Sequence, residues 1–140
     1  MRFSQESFYG IAVMAALARH APARPAGIEE IASARNLPRS FVAKILQKLV
    51  RGGLVTSSRG RQRGYTLAVP AERITVRDIL EVTEGADFFH RCMFRRRCGD
   101  EPICFLHGIG AAIRVDLEAR LTGLILADVA RGENLEEALR

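Results

Sequence analysis

The sequence predicts a mainly α fold carrying one small β-hairpin, an α+β arrangement within a single compact unit. Three observations predict it. Several stretches repeat their apolar residues at steps of three and four, the period of a helix with one buried face. Residues 54–69 hold two short β-prone segments around Arg59-Gly-Arg-Gln-Arg-Gly64, a Gly-bounded turn of the kind that joins a hairpin. A chain of 140 residues with 48% apolar and 26% charged side chains has the composition of a globular domain that folds without staples.

Residues 4–20 read as the first helix, with Ser4, Glu6 and Ser7 at its start. Phe8, Ile11, Ala12, Ala15 and Ala18 recur on one side, with Met14 and Leu17 alongside. Gly10 costs a helix roughly 1 kcal/mol, so its presence predicts close approach of another element. Residues 21–27, with Pro22, Pro25 and Gly27, form a loop. Residues 28–35 make a short amphipathic helix that Asn36-Leu37-Pro38 terminates, because a residue before proline is pushed out of the α region. A second helix runs over residues 39–50. Phe41, Val42, Ile45, Leu46 and Leu49 form its apolar face. Arg39, Ser40, Ala43, Lys44, Gln47, Lys48 and Arg51 form the other, and Gly52 and Gly53 end it.

Two short helices joined by a tight turn, the second with a basic outer face, match a helix-turn-helix. The strands predicted at residues 54–58 and 65–69 follow directly, and the turn between them carries Arg59, Arg61 and Arg63. A helix-turn-helix followed by a basic hairpin is a winged helix-turn-helix. Three clustered arginines repel one another, which suits a surface that meets a polyanion better than one that serves folding. The charge distribution agrees. Residues 1–65 contain eleven Arg and Lys against three acids, a charge of +8, and the remainder contains ten against thirteen, a charge of −3. Double-stranded DNA is the expected partner. Arg39, Ser40 and Arg59 are assigned to phosphates. Ala43, Lys44, Gln47 and the wing arginines Arg61 and Arg63 are assigned to bases, with Lys48 on the same basic face.

Pro70 ends the wing. Residues 74–82 read as a further helix capped by Thr75 with Asp78 three residues on, and Gly85 closes it. From Ile103 to about Leu121 a long helical stripe follows, with Leu106, Ile109, Ile113, Leu117, Leu121 and Leu124 at steps of three and four. Such a stripe packs on its own domain or pairs with a second copy. Pairing suits DNA, because two recognition helices one turn apart (about 34 Å) read a pseudo-palindrome. A homodimer and a dimerisation helix are therefore expected. The organisation expected is a DNA-binding domain at 1–85, a cysteine loop at 86–104, and the dimerisation helix with a short helix and tail at 105–140.

That loop concentrates the chemistry. Cys92, Cys98 and Cys104 are all the cysteines of the chain, separated by five residues each time, and His107 lies three residues beyond the last. Three thiolates and an imidazole complete a four-coordinate shell for a soft or borderline metal. Structural zinc, redox-active thiols without metal, and a His107 that serves only as a helix residue stay open on the residues alone. His20 and His90 are expected at the surface, with His90 near enough to Cys92 to act as a substitute ligand. An odd cysteine number argues against a disulfide framework. No nucleophile–base constellation or phosphate loop occurs, so an enzyme is not expected. No run of about 18 apolar residues and no leader pattern is present, which points to a cytoplasmic protein without a membrane span.

Taken together, Met1-Arg2-Phe3-Ser4, the Phe41 to Leu49 helix, Gly53-Leu54-Val55 leading to Arg59-Gly60 and Gly64-Tyr65, Ile74 with Asp78-Ile79, and the three cysteines before a long helix resemble the IscR-like family of iron–sulfur-dependent winged-helix transcription regulators. The resemblance spans nearly the whole chain. It implies a homodimeric DNA-binding regulator with one [2Fe–2S] cluster per subunit, held by Cys92, Cys98, Cys104 and His107, that senses iron–sulfur status, redox state or nitric oxide. It differs in one place: the wing has Arg63-Gly64 where the family usually has a Gly-Gly pair before the aromatic residue, which makes this tip more basic.

Overall fold

A computed structural model describes residues 2–20, 24–93 and 104–132. Six α-helices and one hairpin are present among them: α1 (Gln5–Arg19), α2 (Ile28–Arg35), α3 (Arg39–Arg51), β1 (Val55–Ser58), β2 (Gly64–Leu67), α4 (Val76–Glu84), α5 (His107–Gly123) and α6 (Leu126–Arg131). Short 3-10 turns precede α4 at Ala71–Arg73 and follow it at Phe88–His90.

The organising element is α1, which packs against α2, α3, α4 and α6. Ser4 caps it by accepting from the Ser7 N–H at 3.3 Å. Its buried side runs through Ser7, Gly10, Met14 and Leu17, with Val13 and Ala15 beside them. Phe8, expected on the buried stripe, instead lies 64% exposed. The reason is Gly10: a Cβ there would stand 2.8 Å from Thr83 Cγ2. The closest approach of α1 and α4 therefore defines the inner face, and Phe8 falls outside it.

Helices α2 and α3 form the helix-turn-helix. Asn36 ends α2 in the left-handed region at φ 50°, a conformation that asparagine tolerates better than most residues. Val42, Ile45, Leu46 and Leu49 of α3 are fully buried, whereas Phe41 is half exposed and meets Tyr9 edge-on with ring centres 5.7 Å apart. The wing pairs antiparallel from Val55 with Leu67 to Ser58 with Gly64.

The stretch read as a plain loop before α2 contributes to this sheet. Ala26 bridges Tyr65 through two backbone hydrogen bonds of 2.9 and 2.8 Å, so the hairpin is pinned to the body. Gly64 permits the bridge, since its φ is +150° and a Cβ would lie 2.6 Å from Ala26 O. Gly64→Ala should cost about 2–4 kcal/mol, measurable as a lowered denaturation midpoint together with faster amide exchange at Tyr65.

The C-terminal part does two different things. Helix α5 begins at His107, later than the Ile103 start expected, with Leu106 at its cap. After Gly123 the chain returns to the body. Thr75 bridges Ile125, with Val76 N–H donating to Leu124 O and Leu126 N–H to Ile74 O, each at 2.8 Å. Helix α6 then buries Leu126 and Ala130 in the main core, and Arg19 Nε donates to the Ala130 carbonyl. The apolar stripe of α5 is divided. Leu121 and Leu124 pack on a small core of Val76, Leu80, Phe88 and Phe89, but Ile109 is 55% and Ile113 44% exposed, and Phe105 just before the helix is 91% exposed.

Candidate DNA interface and cysteine cleft

Each of the expected DNA-facing residues among these elements lies at the surface or half-buried beside it. Ser40, Lys44 and Gln47 are exposed on α3, and Ala43 is half-buried among them. Arg59, Arg61 and Arg63 are exposed at the wing tip. Recognition helix and wing thus both expose basic side chains of the kind that meet a phosphate backbone.

Two basic residues are committed within the protein. Arg39 pairs with Glu29 of α2. Lys48 is half-buried, pairs with Glu6 of α1 at 2.7 Å, and points its ammonium at Thr83 O of α4 at 3.4 Å. Helical periodicity puts Lys48 on the border of the basic face. Only the tertiary arrangement reveals that its charge is turned toward α1 and α4.

A polar network fixes α1 on α4 beside this pair. Glu84 Oε1 accepts from Ser4 N–H and from Ser7 Oγ, both at 2.5 Å, and Ser7 Oγ lies 2.8 Å from Thr83 Oγ1. Burial on its own would raise the Glu84 carboxyl. The donors Ser7 and Ser4, aided by the Lys48 charge, outweigh it and hold the carboxyl below its ordinary value of 4.5. A depressed carboxyl stabilises the fold above its unfolded pKa, and that contribution is lost as pH falls through its folded pKa. Glu84→Gln should cost about 1 kcal/mol at neutral pH. In denaturation curves taken from pH 7 downward, the difference from wild type should shrink below about pH 4.5.

The metal-ligand candidates follow the 3-10 turn after α4 and lead into α5. Phe88 and Phe89 are buried against Phe3 and each other, with ring centres 5.0 and 5.2 Å apart. Arg77 covers the Phe89 ring at 5.0 Å and reaches Glu81 and Glu118. This anchor holds the chain three residues before Cys92. Cys92 and His107 then line one narrow cleft with Leu106, Gly110 and Arg114. Cys104 is half-buried in the turn that leads into α5, where the His107 N–H donates to its carbonyl at 3.0 Å. Cys98 lies outside the described residues, as do Arg95, Arg96 and Arg97, and among the described residues no group of three or more potential ligands gathers. His90 is exposed and His20 half-buried.

Arg114 escaped the sequence reading. It stands seven residues after His107, hence on the same face of α5, and that spacing was the available signal. It brings a positive charge to the cleft that Cys92 and His107 line.

The Rrf2 family, described as "Iron-dependent Transcriptional regulator", matches residues 3–132. The chain belongs to the Rrf2 family. Among curated relatives, the HTH-type transcriptional regulator IscR of Escherichia coli O1:K1 is 28% identical over 141 residues, covering 99% of this chain and 84% of that protein. The solved structure of CymR, the global cysteine regulator of B. subtilis, superposes with a TM-score of 0.78 at 25% identity, over 96% of this chain and 99% of its own. IscR of T. potens superposes with a TM-score of 0.77 at 26% identity, over 94% and 88%.

This Rrf2 protein is therefore a DNA-binding, winged helix-turn-helix transcription regulator. Its relatives are regulators and not enzymes, and no helix among its described residues is long and apolar enough to cross a membrane.

Proposed function

We propose that this Rrf2 regulator binds promoter pseudo-palindromes as a homodimer under the control of a [2Fe–2S] cluster held by Cys92, Cys98, Cys104 and His107. The observation that carries the reading is the position of the cleft. Cys92 and His107 share it, Cys104 lies in the turn that leads into α5, and the helix that bears His107 is the one whose apolar face is left open at Ile109 and Ile113. Donor chemistry fits the group: thiolates and an imidazole suit iron–sulfur ligation.

When bound, the cluster would supply a centre whose oxidation state and integrity respond to oxidants, nitric oxide and iron supply. The protein's own residues do the rest. Replacing one thiolate of an all-cysteine site with His107 removes one negative charge and introduces a ligand that can take up a proton and leave. Arg114 and Arg91 bring positive charge to the neighbourhood. His107 is the first residue of α5, so its position is tied to that helix, and Glu118 ties α5 through Arg77 to α4 and to the Phe89 anchor. A change at the cysteines thus has a short path to the separation of two recognition helices. Base reading belongs to Ala43, Lys44, Gln47, Arg61 and Arg63, and phosphate contacts to Arg39, Ser40 and Arg59. Lys48, held by Glu6, acts by orienting α3.

A second reading draws on the likeness to CymR, named as a cysteine regulator: Cys92 and Cys104 would act as sensing thiols with no metal. Anaerobic purification with iron, sulfide and zinc analysis separates the readings. Iron and sulfide in about equal amounts, with duplex binding that weakens as salt rises, support the first. Zinc without sulfide, or no metal with reversible thiol oxidation, rejects it.

A further inference from the structure

The basic N-terminal half contains three acids, Glu6, Glu29 and Glu30. Two have evident folding roles. Glu6 pairs with the half-buried Lys48. Glu30 receives the Arg24 fork at 2.7 and 3.1 Å and caps the Gly27 N–H at 3.0 Å. Glu29 is different: its side chain is 74% exposed, and it pairs with Arg39, 69% exposed, across the first turns of α2 and α3. The pair opens onto a cleft of about 720 Å³ shared with Ser57, Ser58, Arg59 and Arg63 of the wing. In helix-turn-helix docking the first helix crosses the DNA backbone and the start of the second enters the groove. A phosphate is therefore the natural occupant of this cleft, and two carboxylates line it: Glu30, which Arg24 and the Gly27 N–H already engage, and Glu29, whose partner is Arg39.

We propose that Glu29 is a specificity-determining residue: it occupies Arg39, and so weakens sequence-independent binding while leaving base reading by α3 intact. This rests on the DNA-binding reading above. Specificity is a difference between affinities, and a group that penalises the wrong complex raises it as surely as one that favours the right complex. Non-specific affinity comes almost wholly from neutralised phosphates, which is the term Glu29 reduces. Ser40, Lys44 and Gln47 lie elsewhere on α3 and keep their contacts. The plainer role, an acid favouring the start of α2 through the helix dipole, would alter thermal stability and leave the salt dependence of binding unchanged. An exposed ion pair itself adds little to stability.

The test compares the full chain and Glu29→Gln by fluorescence anisotropy. The probes are a random-sequence duplex of about 30 base pairs and a duplex enriched from a random pool by the wild-type protein. Glu29→Gln should bind the random duplex roughly five- to tenfold more tightly at about 100 mM salt, with the slope of log K against log salt steeper by about 0.9. The enriched duplex should gain less, so the specificity ratio falls. Adding Arg39→Gln should cancel the gain. Unchanged random-duplex affinity and slope would overturn the proposal, as would a gain that survives Arg39→Gln. Wild-type protein that binds neither duplex at low salt would overturn the DNA-binding reading itself, a result distinct from all of these.

Discussion

Cys92→Ala should leave a folded protein that carries no iron or sulfide and shows none of the visible absorbance of the anaerobic wild type. Cys92 follows the Phe88–Phe89 anchor, whose burial does not depend on the thiol, and the residue itself is only half-buried. Loss of one thiolate should therefore abolish the centre without unfolding the body. Circular dichroism, iron and sulfide analysis on the same sample check both halves of this statement.

His107 is predicted to behave differently. His107→Ala should give a labile, substoichiometric centre. His107→Cys should restore occupancy with a reduction potential lower by on the order of 100 mV, because a neutral ligand is replaced by an anionic one. Occupancy in His107→Ala equal to wild type, with an unchanged potential, would remove His107 from the ligand set. The same preparations allow the effect on DNA to be read. If cluster removal leaves the affinity for every duplex unchanged, the sensing role fails while the DNA-binding role stands.

The second large effect concerns α5. Replacing Ile109 and Ile113 together by glutamate should convert a dimer to a monomer in sedimentation, and lower the affinity for a pseudo-palindromic duplex by at least about 100-fold. Burying an isoleucine side chain contributes about 1.5–3 kcal/mol, and a two-fold interface counts each position twice. Loss of that energy removes the second half-site contact, whereas binding of a single recognition helix persists. The body should be unaffected, since both side chains are largely exposed and α5 is tied to it through Glu118 and Leu121. A double variant that stays dimeric would place the interface elsewhere.

Most of the fold was legible because its signals are local. Ser4 and Thr75 with Asp78 cap the helices where their side chains reach the first amides. Asn36 and the Gly52–Gly53 pair end α2 and α3, and the Gly-bounded turn closes the wing. The α3 apolar series is buried as its spacing predicts except at Phe41, which sits where the stripe meets the edge of Tyr9. Phe8 departs from the periodic pattern because periodicity does not encode which side another helix approaches.

The sequence by itself determined the helix-turn-helix, the basic wing, and the confinement of every cysteine to one stretch, because composition, capping and spacing act over a few residues. It also singled out His107 as the imidazole nearest the last cysteine. Only the tertiary structure decided how these parts are joined. The Ala26–Tyr65 bridge docks the wing, and α6 returns to α1. Lys48 is drawn to Glu6, and Arg39 to Glu29. Cys92 and His107 reach one cleft across a separation of fifteen residues. Each of these depends on groups far apart in the chain, where a contact is set by how the helices and the hairpin pack together and not by any neighbouring residue.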